Sequence, residues 1–226
     1  CNPFGIARDT KNNTIRYVEH HQYLALGDHL VKYFDPIDDI IATKTMTYRG
    51  LPQHPEIVQS DFTRDMDVET YNTDQTLQMI RNVSGLVETF NLPLDETTIV
   101  DAGFDYFLRN NWHTLEDGVP VAYKLAVAGQ ERLLTIQITK QPSSDTNTAF
   151  TIKPRNFFIR LLVPEIRLLY NRDHRLLAYE GLTNLNLPRA NVETSPLSSI
   201  NTAVQTHSPG HSHNGYRTNN ASDPIH

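Results

Sequence analysis

The feature that most narrows what this chain can become is a two-residue alternation of apolar and polar side chains, recurring through much of its first 187 positions. Ile15 and Tyr17 alternate with Arg16, and Val31 and Tyr33 with Lys32. Ile40, Ala42, Met46 and Tyr48 keep one parity while Thr43, Thr45 and Thr47 keep the other. Successive side chains of a strand point to opposite faces, so this spacing describes half-buried antiparallel strands. Turn-forming residues at Leu26-Gly27-Asp28 and Asp35-Pro36-Ile37-Asp38-Asp39 separate them, which makes the early part a meander. Val119, Val121, Tyr123, Leu125 and Val127 resume the alternation. A turn at Ala128-Gly129-Gln130 returns it through Leu134, Ile136 and Ile138, forming a hairpin. Ser143-Ser144-Asp145 reads as a further turn, and Ala149 to Ile152 as a short strand. Ile166, Leu168 and Tyr170 turn at Asn171–His174 and return through Leu177, Tyr179 and Gly181 as a second hairpin.

Three stretches are less legible. Gly50, Pro52 and Pro55 mark a loop, and Asp61 to Asp74 has no convincing period. Thr76 to Phe90 has strand character broken at Ser84-Gly85, and Asn156 to Val163 fits a strand or a short helix equally well.

One segment changes period. Phe104, Phe107, Leu108, Trp112 and Leu115 recur at spacings of three and four, which predicts an amphipathic helix over Asp101–Glu116. Asp101 is the expected N-cap, Asp105 suits the first turn, and Gly118 with Pro120 ends the helix. Such an aromatic stripe is foremost a helix lying across a sheet. The expected fold is therefore mainly β (α+β): an antiparallel meander sheet, curved or half-barrel, packed on one amphipathic helix. Residues 1–13 read as an N-terminal linker and 14–187 as a single β-rich domain. Residues 188–226, dominated by Ser, Thr, Asn, Pro and His, read as a disordered tail, too polar to offset the entropy of ordering.

Composition excludes several function classes. The net charge is -6, and no basic stripe exists to displace counterions from nucleic-acid phosphates. No run of Lys and Arg suits an anionic membrane, and no stretch approaches the roughly 18 apolar residues of a membrane-spanning helix. The most apolar segment, Phe157 to Tyr170, is interrupted by Arg160, Pro164, Glu165 and Arg167. Neither a glycine-rich phosphate loop nor a Gly-x-Ser-x-Gly elbow is present, so no cofactor and no serine nucleophile is expected. Cys1 is the only cysteine, which leaves no intrachain disulfide. A chain beginning at its one Cys matches what cleavage of a lipoprotein signal peptide leaves, with Cys1 lipidated and two or more acyl chains anchoring the domain; an arbitrary fragment start matches equally well.

The most suggestive polar cluster is Glu19-His20-His21 on an early strand. Glu19 and His21 share a face there and His20 takes the other. A carboxylate beside an imidazole is the kind of pair used for acid–base catalysis or for metal ligation, while a cross-strand polar pair at a sheet rim is the plainer reading. Asp35, Asp38 and Asp39 lack the alternation of a calcium loop and read as a solvated turn, as do Asp61, Asp65, Asp67 and Glu69. His207, His211, His213 and His226 mark the tail as capable of no more than incidental metal chelation. If the sheet wraps the helix loosely, Phe104, Phe107, Trp112, Tyr123 and Tyr170 would line an apolar cavity. Arg160, with Arg167 and Arg175 nearby, would then meet an anionic head group; surface charges are the plainer reading of all three.

Several segments carry a resemblance. Tyr17-Val18-Glu19-His20-His21, Asp35-Pro36, Ile41-Ala42-Thr43-Lys44, Gly103-Phe104-Asp105-Tyr106-Phe107, Trp112, Asn156–Val163, Tyr170 and Tyr179–Asn184 together resemble a family of uncharacterised exported bacterial envelope proteins. The likeness spans roughly residues 14 to 186, and no single motif within it is diagnostic. It implies a β-dominated protein of the periplasm or outer membrane and brings no known activity. Family members continue from Gly-Leu-Thr-Asn into a further charged strand, whereas this chain passes into its polar tail. The leading expectation is thus a non-enzymatic envelope protein that binds a lipid or other amphiphilic molecule, or serves structurally. A small hydrolase or metal-dependent enzyme using Glu19, His20 or His21 is the second, and a protein–protein interaction module the third.

Overall fold

The computed structural model describes residues 4–142, 146–160, 165–183, 185 and 199–205. A strand joined to the next by a short turn can pair with it antiparallel, and this chain does so almost without interruption. β1 (Phe4–Asp9), β2 (Ile15–Tyr23), β3 (His29–Phe34), β4 (Ile40–Thr47), β5 (Glu56–Asp61), β6 (Met66–Thr73), β7 (Thr76–Val83) and β8 (Leu86–Pro93) form an eight-stranded antiparallel meander. Then follow β9 (Thr98–Val100), α1 (Phe104–Asn110), α2 (Trp112–Glu116), β10 (Val121–Ala126), β11 (Leu133–Gln141), β12 (Asn147–Pro154), α3 (Phe157–Arg160), β13 (Ile166–Asn171) and β14 (Leu176–Leu182). β9 to β14 make a curled half-barrel of six strands, and β15 (Ser199–Gln205) lies between β14 and β1.

The mainly β fold with a helix packed on the sheet is as the alternation predicts. Four local readings need correction. Residues 4–9, read as linker, form β1 and pair with β2. Of residues 61–74, read as aperiodic, Asp61 ends β5 and 66–73 form β6; inward positions of the two strands include Gln59, Asp61 and Thr70, and buried polar residues erase the hydrophobic alternation. β9 has three residues, all buried, too few to show a period. It pairs parallel with β10, an arrangement that needs a crossover, and α1–α2 supply it. The segment 101–116 is not one helix: a single 3-10 turn at Asp101–Gly103 precedes α1, and Asn111 (φ -107°, ψ 19°) separates α1 from α2. Asp101 is not a helix N-cap; its φ is 43° and its carboxylate is engaged elsewhere.

In the segment read as tail, Ser199–Gln205 are laid as β15, while residues 188–198 and 206–226 lie outside the described residues, as do Cys1 and the Ser143-Ser144-Asp145 turn. At 157–160 the ambiguity resolves as helix. The break at Ser84-Gly85 is a two-residue hairpin turn with φ of 50° and 88°, both in the left-handed region that matches strand twist.

Two large apolar clusters hold the layers. Val31, Met46, Ile57, Val68, Leu77 and Met79 on the concave face of the eight-stranded sheet meet Val100, Ala126 and Ala128. Phe107, Leu108, Trp112 and Leu115 from the helices pack on Ile136, Ile138, Phe150, Ile152, Leu168 and Tyr170 of the half-barrel. The two halves also meet through the backbone. Val100 N–H donates to the Gln53 carbonyl at 2.9 Å, directly beneath Gly103. A Cβ at Gly103 would fall 2.4 Å from that carbonyl oxygen, so only glycine lets the 51–55 loop pass so close to the helix start.

Gly103→Ala is expected to destabilise the fold by roughly 1–3 kcal/mol, since backbone must move to admit the methyl group. Gly50→Ala, where a Cβ meets nothing within 4 Å, should change stability by less than about 0.5 kcal/mol. Urea unfolding of both variants checks this, and equal effects would show that the close approach carries no weight.

Candidate functional site

The strand parity that buries Tyr17 also turns Glu19, His21 and Tyr23 to the inner face of β2. The β2–β3 register sets Glu19 opposite Tyr33, His21 opposite Val31, and Tyr23 opposite His29. His21 and His29 are therefore diagonal neighbours, a separation that aromatic side chains bridge. They do so here: His21 Nδ1 and His29 Nε2 are 2.9 Å apart, and His21 Nε2 lies 3.1 Å from Glu19 Oε2. The result is a continuous line of carboxylate, imidazole and imidazole on the concave side of the sheet. The Glu19 and His21 side chains are only 14% and 15% exposed. His20 points the other way and packs its ring against Phe34, so it takes no part.

The Tyr23 ring stacks on His29 (4.5 Å between centroids, 19° between planes) and closes the line from outside. Burial, with a contribution from His21, pulls the His29 pKa down to about 4. Glu19 accepts from His21 Nε2–H; where both imidazoles are neutral, His21 Nδ1 accepts from His29 Nε2–H and His29 Nδ1 is left as the terminal acceptor.

Tyrosines crowd both ends of this line. Tyr33 lies edge-on to Tyr17, and burial, then Glu19, Tyr17 and Asp101, hold its phenol protonated far above the usual range. Ala42, opposite Tyr33 on β4, leaves room for that ring. Toward the rim, Tyr48 tilts against Tyr106 of α1 at 4.8 Å, and the Arg109 guanidinium sits 4.5 Å above the Tyr106 ring. Arg109 also pairs with Asp105 at 2.8 Å. Burial raises the Asp105 pKa in spite of Arg109 and of the hydrogen bond from the Tyr170 hydroxyl at 3.1 Å. Burial likewise raises the phenols of Tyr23 and Tyr48, each of which feels Tyr106, Asp105 and Arg109. Tyr23, Tyr48, Tyr106 and Arg109 thus lie near one another where β2 and the end of β4 approach α1, with His29 beneath Tyr23.

Lys44 on β4 pairs with Asp101 at 2.5 Å, with side chains 6% and 10% exposed. The Asp101 carboxylate also accepts the Ala102 N–H at 2.8 Å and the Ala128 N–H at 3.2 Å. Burial works against its ionisation, but Lys44 and these donors win and hold its pKa below the ordinary value.

The residues expected to line an apolar cavity have another occupation. Phe107, Trp112 and Tyr170 are 2%, 4% and 0% exposed, and their ring faces are taken by one another and by their neighbours. Tyr123 meets Phe107 edge-on at 4.3 Å, Trp112 meets Phe150 and Tyr170 edge-on, and Phe104 tilts toward Tyr179. Trp112 also stacks on His174 at 3.8 Å and donates Nε1–H to Glu116 at 2.8 Å. Arg160 lies in α3, where it donates to the Pro154 and Arg155 carbonyls. Arg167 is engaged by Glu165 at 2.8 Å and Glu180 at 3.8 Å.

Among the acidic residues, Asp35 forms the expected turn, accepting the Ile37 and Asp39 N–H groups. Asp61 departs from the solvated reading. It is 1% exposed and accepts from Thr63 N–H, the Thr63 hydroxyl and Arg64 Nε. Among the described residues no group of three or more His, Cys, Asp or Glu side chains is gathered to hold a metal. His207, His211, His213 and His226 lie outside them.

His29, Tyr23, Lys44, Tyr48, Asp101 and Tyr106 were not legible as a site. The parity of β2 and β3 could have nominated Tyr23 and His29, but only the register between the strands brings His29 to His21. Comparison of the chain with protein-family models, with curated proteins and with solved structures returned no match.

The depressed His29 pKa carries a pH signature. The folded state keeps His29 neutral down to about pH 4, whereas the unfolded chain takes up this proton near 6.5. Between these values the unfolded state binds more protons, so this contribution is complete above pH 6.5 and is lost as pH falls toward 4. Urea unfolding should show stability falling with acidification across that window, by at most about 1.4 kcal/mol per pH unit. His29→Phe should flatten that part of the profile, and substitution of His113, whose side chain is 99% exposed, should not. Separately, Lys44→Met strands a buried carboxylate and should cost about 3–5 kcal/mol; a loss under about 1 kcal/mol would contradict the enclosure described above.

Proposed function

We propose that this protein binds a small amphiphilic ligand at the Tyr23–His29–Tyr48–Tyr106 mouth, with the Glu19–His21–His29 line receiving the ligand's polar group. One observation carries the reading: a hydrogen-bonded carboxylate–imidazole–imidazole line lies on an inner sheet face and ends at His29 beneath the Tyr23 ring, with the Tyr48–Tyr106 pair near Tyr23. Tyrosine and histidine present apolar ring faces together with polar tips, so the rim suits a molecule with a flat or aliphatic body. The Arg109 guanidinium at the same rim favours an acidic or hydroxyl-bearing head. The closely packed stripe of Phe107 and Trp112 serves the core in this reading, and the ligand lies on the other side of α1, against β2–β4.

The resemblance carried by Tyr17–His21, Gly103–Phe107 and Asn156–Val163 supports placement in the cell envelope, where amphiphiles are abundant. A second reading rests on the same line of groups. Glu19 orienting His21 and His29 is an arrangement that can draw a proton from water, which is general-base hydrolysis. The Tyr23 ring over His29 suits contact with a ligand and has no part in that step, so binding is preferred.

A thermal-shift screen with fatty acids, lysophospholipids, alkyl glycosides and aromatic acids tests the proposal. Saturation near 100 times Kd stabilises by about 2.7 kcal/mol. For a chain of this size that raises Tm by roughly 5–10 °C. The shift should vanish in a Tyr48→Ser/Tyr106→Ser variant and persist in Phe34→Leu, on the opposite face. If no compound in the panel raises Tm, the binding reading fails. Turnover of chromogenic esters or glycosides that disappears in His21→Ala but survives in His20→Ala would replace it with the hydrolytic one.

A further inference from the structure

The connection that leaves β12 exposes two aromatic side chains in succession. α3 presents Phe157 and Phe158 to solvent at 66% and 74% exposure, their rings edge-on to each other at 5.9 Å. This is a held conformation. Asn156 Oδ1 accepts the N–H groups of Phe158 at 2.9 Å and Ile159 at 3.4 Å, and Arg155 N–H donates to the Thr135 carbonyl of β11 at 2.8 Å. Arg160 folds back to donate Nε–H to the Pro154 carbonyl at 2.5 Å and a terminal N–H to the Arg155 carbonyl at 3.3 Å. Its guanidinium therefore stays at the strand end that carries the two phenylalanines.

Arg155 and Arg160 are exposed, and among the described residues neither pairs with a carboxylate. Beside them, Glu165 is shared by Lys153 at 3.9 Å and Arg167 at 2.8 Å, so the neighbouring negative charge is already met. The locality carries an excess of positive charge on a chain whose net charge is -6. Another exposed apolar pair, Leu86 and Val87 at the β7–β8 turn, has no such surplus, since the adjacent Arg81 is paired with Glu88.

Exposed aromatic side chains beside unpaired arginines match the interface of an anionic bilayer. There rings lodge among the head groups while guanidinium groups bind lipid phosphates. We infer that α3 is a membrane-surface contact, with Phe157 and Phe158 inserting into an anionic leaflet and Arg155 and Arg160 engaging its head groups. This contact is independent of the ligand mouth, which lies on other elements.

Flotation with phosphatidylcholine vesicles, with and without phosphatidylglycerol, tests it on the full chain. Wild type should float with the phosphatidylglycerol vesicles, weakly or not at all with phosphatidylcholine alone, and less as salt is raised. Phe157→Ser/Phe158→Ser should abolish flotation with an unchanged thermal melt, since both side chains are exposed. Arg155→Ala should weaken the partition roughly fivefold, and Lys11→Ala, at an exposed turn distant in sequence, should leave it intact. Absence of wild-type binding to phosphatidylglycerol vesicles at low salt would overturn the inference, as would flotation that survives the double serine variant. Concentration-dependent sedimentation abolished by that same variant, without vesicle binding, would assign the patch to a second copy of the chain and overturn it too.

Discussion

The Lys44–Asp101 pair is the interaction on which the two halves of this molecule depend. Lys44 stands in the middle of the eight-stranded sheet, and Asp101 at the point where the half-barrel's first strand passes into the helices. One carboxylate holds the Lys44 ammonium, the Ala102 N–H and the Ala128 N–H, and so ties β4, the helix start and the β10–β11 turn together. Asp101 adopts φ of 43° to do this, a region that aspartate tolerates better than most residues with a side chain. Removing either partner of such a pair costs far more than the net gain from forming it, because the survivor remains charged and away from water.

Around that pair, the inner face of β2–β4 is polar where a sheet of this kind would ordinarily be apolar. Glu19, His21, Tyr33 and Lys44 share it with Ala42, Val31 and Met46. Burial of Glu19, His21 and Lys44 is tolerable because each has a partner within reach: Glu19 with His21, His21 with His29, and Lys44 with Asp101. The line ends at His29 beneath the Tyr23 ring, and α1 approaches the same strands through Tyr106, which meets Tyr48 and carries Arg109 over its ring. α1 thus has two working sides. Phe107 and Leu108 fill the half-barrel, while Tyr106 and Arg109 face the sheet's polar strip.

Much of the fold was legible in particular residues. The alternation in Ile15–Tyr17 and Val31–Tyr33 located β2 and β3, and the break read at Ser84-Gly85 stands where the β7–β8 hairpin turns. The Phe104–Leu115 stripe located the helices, although not their interruption at Asn111. Legibility failed where buried polar residues stood at inward positions. Gln59, Asp61 and Thr70 look like surface residues in a sequence and are buried in the structure. For the site, Glu19 and His21 could be read as neighbours because they are two apart on one strand. Their partners could not be read, since His29 joins through cross-strand register and Tyr48, Tyr106 and Arg109 through the packing of α1 against the sheet.

The sequence by itself determined the period of the strands whose inward positions are apolar, and hence which of their side chains share a face, because backbone pleating makes that a local property. It also determined that a helix with one aromatic stripe must cover a sheet, because those rings cannot remain in water at low free energy. The tertiary structure decided which faces meet. Pairing register, the parallel crossover from β9 to β10 and the contact of Lys44 with Asp101 join residues far apart along the chain. Their geometry follows from how apolar layers pack together, and no short stretch of sequence encodes it.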